Sequence, residues 1–227
     1  TLSGATIRQC TSGTVVGVLV GQTNNLQLEF SSETDIDGSE VFSNIADLNS
    51  PAPVRLRGAI STSGFQNYGD TATLYGDTTL NTGTSGDVSF GVTVDGSHDL
   101  AIEAGTGRID FFNALGSSTP LQSLNLASAS AVQANSTLAI DAAGGSGAGL
   151  RVGPNVDNGN IAQPGRTISN ASQDGILFAG GSANSTVGGF TITNSGDNGV
   201  NLAEGDYSNT TRQNAVVTTS GSDGVYS

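Results

Sequence analysis

The stretch Ile168-Ser-Asn-Ala-Ser-Gln-Asp-Gly-Ile176 decides the fold, because the chain repeats it twice more. Its copies are Ile192-Thr-Asn-Ser-Gly-Asp-Asn-Gly-Val200 and Val217-Thr-Thr-Ser-Gly-Ser-Asp-Gly-Val225. A nearly constant period of this length is typical of repeat architectures. Each copy reads as a short strand, a polar turn that closes on Asp-Gly or Asn-Gly, and a second short strand. The pattern predicts one coil of a solenoid per copy.

The turns of the three copies are predicted to stack as a structural column. Glycine supplies a backbone position with positive φ, and Asp and Asn tolerate the turn before it. One coil cannot bury its apolar side chains alone, but coils stacked about 4.8 Å apart let the Ile and Val side chains form a continuous core. We therefore predict an all-β, right-handed parallel β-helix with coils of about 21–25 residues. The column consists of Asp174, Gly175, Asn198, Gly199, Asp223 and Gly224.

The middle of the chain repeats less strictly in the same style. Val88-Ser-Phe-Gly-Val-Thr-Val94 and Ile109-Asp-Phe-Phe-Asn-Ala-Leu115 place apolar residues at alternate positions and lie about one coil apart. Each is followed by a second alternating run, Leu100-Ala-Ile102 and Leu121-Gln-Ser-Leu-Asn-Leu126. Alternation over short runs indicates strands, and no stretch shows the apolar spacing of a helix. The sequence therefore predicts strand, turn, strand, turn here as well.

Three regions are predicted along the chain. Residues 1–50 form N-terminal solenoid coils, with residues 33–48 as an irregular acidic excursion or one short helix. Residues 54–143 form degenerate repeats, and residues 154–227 form regular parallel β-helix repeats. The Pro-rich and Gly-rich passages between them are either boundaries or long turns of one continuous solenoid.

The amino-acid composition limits the classes of molecule that the chain is expected to bind. The 227 residues include 33 Gly, and 20 acidic residues face only 7 basic ones, which gives a net charge of -13. Nucleic acids and anionic membrane surfaces need Lys and Arg, so we expect neither as a partner and no membrane insertion. Cys10 is the one cysteine and can form no intrachain disulfide. The chain begins at Thr1, and we expect it to be a piece of a longer, extracellular or cell-surface bacterial protein.

The repeats resemble two groups of known sequences. Gly86-Asp-Val-Ser-Phe-Gly-Val-Thr-Val-Asp-Gly-Ser-His98 and the run that ends at Leu126 are similar to the degenerate repeats of filamentous-haemagglutinin-like surface proteins, such as giant secreted proteins of planctomycetes. The three copies after Ile168 resemble the parallel β-helix repeats of pectate-lyase-like folds and surface solenoids. The resemblance implies a β-solenoid. Members of the families it points to include adhesins, tailspikes and polysaccharide lyases. Function must therefore be argued from individual sites.

An enzyme is the alternative hypothesis, as a polysaccharide-degrading lyase or glycosidase of the tailspike kind. A glycosidase needs two carboxylates that face each other across the substrate. Asp174, Asp197 and Asp223 come closest, but in register Asp174 stacks on Asn198 and Asp223, which is the pattern of a turn column. His98 lies in a polar turn and is expected to be solvated. The arginines that could replace a lyase base lie in no recognisable motif, and they are Arg151, Arg166 and Arg212.

Calcium is the cofactor that the sequence makes plausible. Asp35-Ile-Asp37-Gly-Ser-Glu40 groups three carboxylates around a glycine. Calcium prefers oxygen-rich, tightly turned loops of this kind. Asp35, Asp37 and Glu40 are therefore candidate calcium ligands, with a solvated acidic loop as the alternative.

The functional prediction is a structural or adhesive solenoid without catalytic residues. Terminal coils expose unpaired strand edges, so a neighbouring segment or another copy could continue the stack and build a fibre. Carbohydrate or a cell surface is the expected target of an adhesive face. An ice-binding or mineral-binding solenoid ranks last, because only Thr191-Ile-Thr193 resembles the regular threonine face that it needs.

Overall fold

The computed structural model is a parallel β-solenoid, and its described residues form 27 short strands, numbered in chain order. It describes residues 6–9, 13–15, 19–20, 26–30, 32–38, 42–43, 45–161, 164–180, 184–203, 205, 207, 209–213 and 215–226. Every pairing between described strands is parallel, and no described residue is helical, which confirms the predicted all-β parallel solenoid.

Each sheet runs along the rod and takes one strand from each successive coil. The first sheet has ten described strands: β1 (Thr6–Gln9), β4 (Leu26–Phe30), β7 (Ile45–Ser50), β9 (Gln66–Tyr68), β11 (Val88–Phe90), β14 (Arg108–Phe111), β16 (Ala131–Ala134), β19 (Gly159–Ile161), β22 (Thr186–Gly188) and β25 (Thr211–Gln213). The second sheet has eleven described strands: β2 (Gly13–Val15), β5 (Thr34–Gly38), β8 (Val54–Ser61), β10 (Ala72–Asn81), β12 (Val94–Asp95), β13 (Asp99–Glu103), β15 (Ser123–Ala129), β18 (Leu150–Val156), β21 (Ile176–Phe178), β24 (Val200–Leu202) and β27 (Val225–Tyr226).

A third wall appears in the C-terminal part of the rod. It is the third sheet, β17 (Ala139–Asp141), β20 (Arg166–Ser169), β23 (Phe190–Thr193) and β26 (Val216–Val217). Nearer the N-terminus the wall shrinks to single bridges, in which Leu115 pairs with Val94 and Leu138. A separate pair joins β3 (Leu19–Val20) to β6 (Phe42–Ser43). The described residues from 34 to 48 thus lie in strands, which favours solenoid coils there over the alternative of one short helix.

The registers match the repeats read from the sequence. Ile168 pairs with Ile192, which pairs with Val217, so the first residues of the three copies stack as predicted. In the middle region Phe90 pairs with Phe111, as the spacing of the looser repeats predicts. The coil length varies more widely than predicted. Leu48 pairs with Gln66 in a coil shorter than the predicted range, and Ala139 pairs with Thr167 in one that is longer. Turns at the corners absorb this variation, because the ladder constrains only the paired strand residues.

Inward-facing side chains form one buried hydrophobic cluster that extends from Leu28 to Val200. The strands alternate buried and exposed residues, as in β14, where Ile109 and Phe111 are buried. The strands therefore contribute their inward-facing apolar side chains to the interior, where they stack on those of the neighbouring coils. Outward-facing positions and corners carry the polar groups from which any site must be built.

Candidate functional site

Two of the three candidate calcium ligands belong to a column of ion pairs, and the third lies outside the described residues. Asp35 and Asp37 lie on β5, directly beside Arg55 and Arg57 of β8. The Arg55 Nη1 atom lies 3.2 Å from the Asp35 carboxylate, and Arg57 makes an ion pair with Asp37. Glu40 lies outside the described residues. The carboxylates thus occupy a strand and not the tight loop expected of a calcium site.

Tyr75 completes this ion-pair column on the outer face of the second sheet. Its ring centroid lies 4.7 Å from the Arg55 guanidinium carbon and 5.1 Å from that of Arg57. The hydrogen bond to Asp37 raises the pKa of Arg57, and partial burial raises the pKa of Tyr75. Two carboxylates and two guanidinium groups compensate each other here. Within the described ranges no cluster of three or more His, Cys, Asp or Glu residues could hold a metal ion, and the calcium hypothesis stays a prediction.

The structure brings the six residues of the turn column together along one edge. The Asp174 carboxylate accepts hydrogen bonds from the backbone N–H and the side-chain amide of Asn198, at 3.1 and 2.9 Å. Asn198 Oδ1 in turn accepts the backbone N–H of Asp223 at 3.2 Å. The backbone N–H groups of Gly175 and Gly199 donate to the carbonyls of Asn198 and Asp223, both at 2.9 Å. The column is a polar ladder that links successive coils.

The role predicted for the column glycines is wrong in one respect. Gly175, Gly199 and Gly224 are absent from the residues with positive φ. Glycine is needed because the next coil lies too close: a Cβ atom on Gly175 would approach Ile192 Cγ2 to 2.4 Å, and one on Gly199 would approach the Gly224 carbonyl oxygen to 2.5 Å. The requirement is therefore for space between coils.

Asparagines occupy the left-handed positions instead, and the sequence interpretation missed them. Asn170 and Asn194 both have φ of 57°, and Asn194 donates its side-chain amide to Asn170 Oδ1 at 3.2 Å. A second pair, Asn184 and Asn209, has φ of 55° and 58° and the same amide bond at 3.1 Å. Asn tolerates this conformation better than most residues. The signal was present, since Asn is the third residue of both the first and second repeat copies.

The carboxylates considered for catalysis do not face one another. Asp174 is 5% exposed, and its second oxygen accepts the Asn201 amide at 3.0 Å. Asp223 lies beyond Asn198 on the same ladder. Asp197 is exposed in the turn, where its carbonyl oxygen accepts the Ser222 N–H at 3.0 Å. The ladder gives these groups a structural role and leaves no opposed pair across a groove within this column.

Arg166 is buried inside the solenoid. It is 1% exposed, and its Nη2 atom donates to the carbonyls of Ala134 and Ser136 at 2.7 and 3.0 Å. Its Nε and Nη1 atoms have no partner among the described residues, and the guanidinium carbon lies 5.7 Å from the Phe190 ring centroid. Burial lowers its pKa to about 10. A buried cation of this kind is out of reach of a polymeric substrate.

His98 and the threonine motif remain surface features. The imidazole Nδ1 lies 3.7 Å from the Asp77 carboxylate, which is largely exposed. Thr191 stacks on Thr167 in the third sheet, but the next coil places Val216 at this position. The regular threonine face required for ice binding is interrupted there.

The C-terminal end of the rod is an open apolar face. Three of its side chains are half exposed or more, Val216 at 58%, Val225 at 50% and Tyr226 at 54%. Val225 lines a cavity of about 340 Å³ that reaches inward to Phe178, Phe190 and other core residues. Strands β25 and β27 are the last described strands of their sheets, so each has an edge with no described partner. We call this surface the end face.

Comparison with protein-family models, with curated proteins and with solved structures finds no match. The fold and the contacts above are therefore the basis for any functional inference. Among the described residues no helix is long and apolar enough to cross a membrane.

Proposed function

We propose that this chain is a structural or adhesive segment of a large extracellular bacterial surface protein, in which the stack of coils is continued by a further segment of the solenoid or by another copy. The regular ladder between coils is the observation that carries the proposal. The backbone N–H groups of Gly175 and Gly199 donate to the carbonyls of Asn198 and Asp223 in the following coils. The strands of these coils pair in parallel, so each coil presents the same groups to the next one.

The end face fits a further solenoid coil, supplied either by a neighbouring segment of the parent protein or by the opposite end of a second copy. Among the described strands, the two long sheets begin with β1 and β2, each paired on one side, and they end with β25 and β27. A head-to-tail contact would therefore join parallel edges of the same two walls. Such a contact uses two different surfaces of each copy, so it does not close on itself and produces a filament.

The turn column specifies which groups the partner must supply. Along the column the N–H of Gly175 and of Gly199 donates to the carbonyl of the following coil. The Asp174 carboxylate accepts the N–H of the following coil. By this pattern Gly224 offers an N–H and Asp223 offers a carboxylate to whatever stacks next. A β-strand backbone supplies both complements, which supports another coil as the partner.

The adhesive role and the extracellular location draw on composition. A net charge of -13 favours solubility and opposes unspecific association between copies. The likeness of the repeats to filamentous-haemagglutinin-like proteins favours the same role. The Asp174 ladder, in which the carboxylate is held by Asn198 and Asn201, supports the structural hypothesis over a polysaccharide-degrading enzyme.

Sedimentation velocity and negative-stain electron microscopy of the purified chain test the proposal. We expect particles that lengthen with concentration and keep a constant width. Gly224→Val should abolish the lengthening, because a side chain there would strike the next coil, while the isolated chain has nothing within 4 Å of that position. Phe112→Ser is the control, since it removes an exposed apolar side chain from a lateral face.

A wild-type chain that stays monomeric at high concentration would contradict end-to-end stacking. End-to-end stacking would also be contradicted if particles of the Gly224→Val and Phe112→Ser variants lengthened equally well. Repeating the measurement with a calcium chelator tests the calcium hypothesis separately. Loss of the fibres would assign a role to Asp35, Asp37 and Glu40, and unchanged fibres would argue against it.

A further inference from the structure

The corner between the third and second walls changes length abruptly in the middle of the rod. Leu121 pairs with Ile140 on one side of this corner, and Leu124 pairs with Leu150 on the other. One coil thus turns the corner between positions 121 and 124, and the next coil needs positions 140 to 150. The additional residues project past the shorter coil. We call residues 142–148 the overhang.

A cleft lies where the overhang meets the outer face of the second sheet. Its volume is about 180 Å³. Strands β13, β15 and β18 form its floor, and the overhang forms its wall. We call it the corner cleft, and its polar lining comes from Asp99, Gln122, Ser123, Asn125, Ser146 and Arg151.

The cleft is held by backbone hydrogen bonds at its base. The N–H of Leu124 donates to the Gly149 carbonyl at 2.9 Å, and the N–H of Gly149 donates to the Asp174 carbonyl at 3.1 Å. Within the overhang the Gly145 N–H donates to the Ala142 carbonyl at 3.0 Å. Both ends of the overhang are therefore anchored by hydrogen bonds to neighbouring coils, so the cleft is preformed.

Two opposite charges stand at the sides of the cleft with neutral groups between them. Asp99 of β13 pairs with Ser123 of β15, and Arg151 of β18 pairs with Asn125. The two residues are therefore two strands apart and offset by two residues, which places their backbones about 12 Å apart at the usual spacings. The Asp99 Oδ1 atom accepts the Ser123 hydroxyl at 2.7 Å, and Arg151 Nη1 donates to Asn125 Oδ1 at 3.1 Å. Each charge is thus oriented by a neutral neighbour on β15.

Hydrogen-bonding capacity remains unused on both sides. Within the described part of the chain, Asp99 Oδ2, the Gln122 side-chain amide and the Nε and Nη2 atoms of Arg151 have no hydrogen-bond partner. A carboxylate oxygen accepts, guanidinium N–H groups donate, and an amide does both. A ligand that satisfies all three must carry several donors and acceptors on a small frame.

We propose that the corner cleft binds one neutral sugar residue. Sugar hydroxyls both donate and accept, so one ring can donate to Asp99 and accept from Arg151. The two charges compensate, so a ligand with net charge would lose at one of them what it gains at the other. Ala148 lines the same cleft and can pack against ring C–H groups. The volume equals about six water molecules, which limits the ligand to one small ring.

The site is independent of end-to-end stacking. The end face lies in the last coil, whereas the corner cleft opens on the side of the rod, where β13, β15 and β18 are neighbours. A rod of stacked copies would display one such cleft per copy. Weak binding at each cleft would then add up through multivalency when the rod meets a polysaccharide surface.

Ligand-observed NMR with D-glucose, D-galactose, D-mannose and N-acetyl-D-glucosamine tests this inference on the full chain. We expect at least one to bind with a dissociation constant on the order of 1 mM, as suits a ligand of this size. Asp99→Asn and Arg151→Gln should each weaken binding by about tenfold, because each removes a charge-assisted hydrogen bond. Asp110→Asn and Arg108→Gln make the same changes in an exposed ion pair on β14 and should leave binding unchanged.

Amide chemical shifts of the wild-type chain provide a readout that needs no variant. Perturbations centred on Gly145, Gly147 and Arg151 support the site, and perturbations elsewhere overturn it. The proposal is also overturned if none of the four sugars binds at up to about 50 mM, a concentration well above the expected dissociation constant. Binding that survives both cleft variants, or binding of glycine in preference to every sugar, would contradict it equally.

Discussion

The two halves of the rod hold their coils together in different ways. In the half before residue 135, successive coils contact through large buried rings: Tyr68 stacks on Phe90 with centroids 5.0 Å apart, and Phe90 stacks on Phe111 at 5.4 Å. In the half after residue 165, pairs of left-handed asparagines join successive coils, as in the bond from Asn194 to Asn170. Coil length follows this division. It changes from coil to coil along the first sheet in the earlier half and becomes nearly constant in the last coils.

The comparison shows why the repeat is visible in one half only. Side chains that meet across a core tolerate exchange of similar volume, so the earlier coils need no common sequence. A left-handed asparagine tolerates few substitutions. Close approach at glycine occurs in both halves, since a Cβ atom on Gly86 would lie 2.1 Å from the Gly64 carbonyl oxygen. Left-handed asparagines are therefore what distinguishes the described coils of the regular half.

Replacing a central ring should have the largest effect. Phe90 is fully buried between Tyr68 and Phe111, and Phe90→Ala should lower the free energy of unfolding by about 4 kcal/mol through lost burial and a cavity. Hydrogen exchange should accelerate in the coils beside Phe90 and change little after residue 190, since each coil contacts only its neighbours. Phe112→Ala is the control, because that ring is 58% exposed. Uniform acceleration along the chain would show that the halves unfold as one unit.

The sequence predicted the fold and the paired strands because the repeat and the alternation each have a direct structural cause. It predicted the members of the turn column but not the reason for its glycines. Close approach between coils and positive φ both require glycine, so the sequence does not distinguish them. The pairing of Asp37 with Arg57 was missed because the partners lie in successive coils and meet only once the register is known. The burial of Arg166 was missed because a charged residue is normally read as exposed, although alternation from the inward-facing Ile168 places Arg166 on the same face.

Adding one carbon atom to the turn column should have the next largest effect, and it separates the interior of the regular half from its end. Gly175→Ala should lower the free energy of unfolding by about 2–3 kcal/mol, because its Cβ atom would overlap Ile192 and the Gly199 carbonyl. Gly224→Ala occupies the equivalent position at the open end and should leave the stability of the isolated chain unchanged. Denaturant unfolding of both variants checks this. Equal losses would mean that conformational freedom, and not space, is what the column requires.

Alkaline pH should weaken the aromatic half selectively. Burial raises the pKa of Tyr68, whose hydroxyl donates to Gln66 Oε1 at 3.0 Å. Above about pH 10 the unfolded chain loses this proton while the folded chain keeps it, so stability falls by up to about 1.4 kcal/mol per pH unit. Tyr68→Phe should flatten the pH dependence above 10, although it removes the hydrogen bond at every pH. Stability measured between pH 8 and about 11 tests the slope, and an unchanged slope in Tyr68→Phe would assign the alkaline loss to other groups.

The smallest effect concerns the left-handed asparagines of the regular half. Asn194 has φ of 57°, a conformation that costs a side-chain-bearing residue about 1–2 kcal/mol and glycine almost nothing. Asn194→Ala should therefore destabilise the chain by about 1 kcal/mol, and Asn194→Gly should recover most of the loss although both variants lose the amide bond to Asn170. Thermal unfolding of the pair separates backbone strain from hydrogen bonding. If Gly is no better than Ala, the amide bond between coils is the main contribution, and the regular half is stabilised by its polar ladders more than by its backbone geometry.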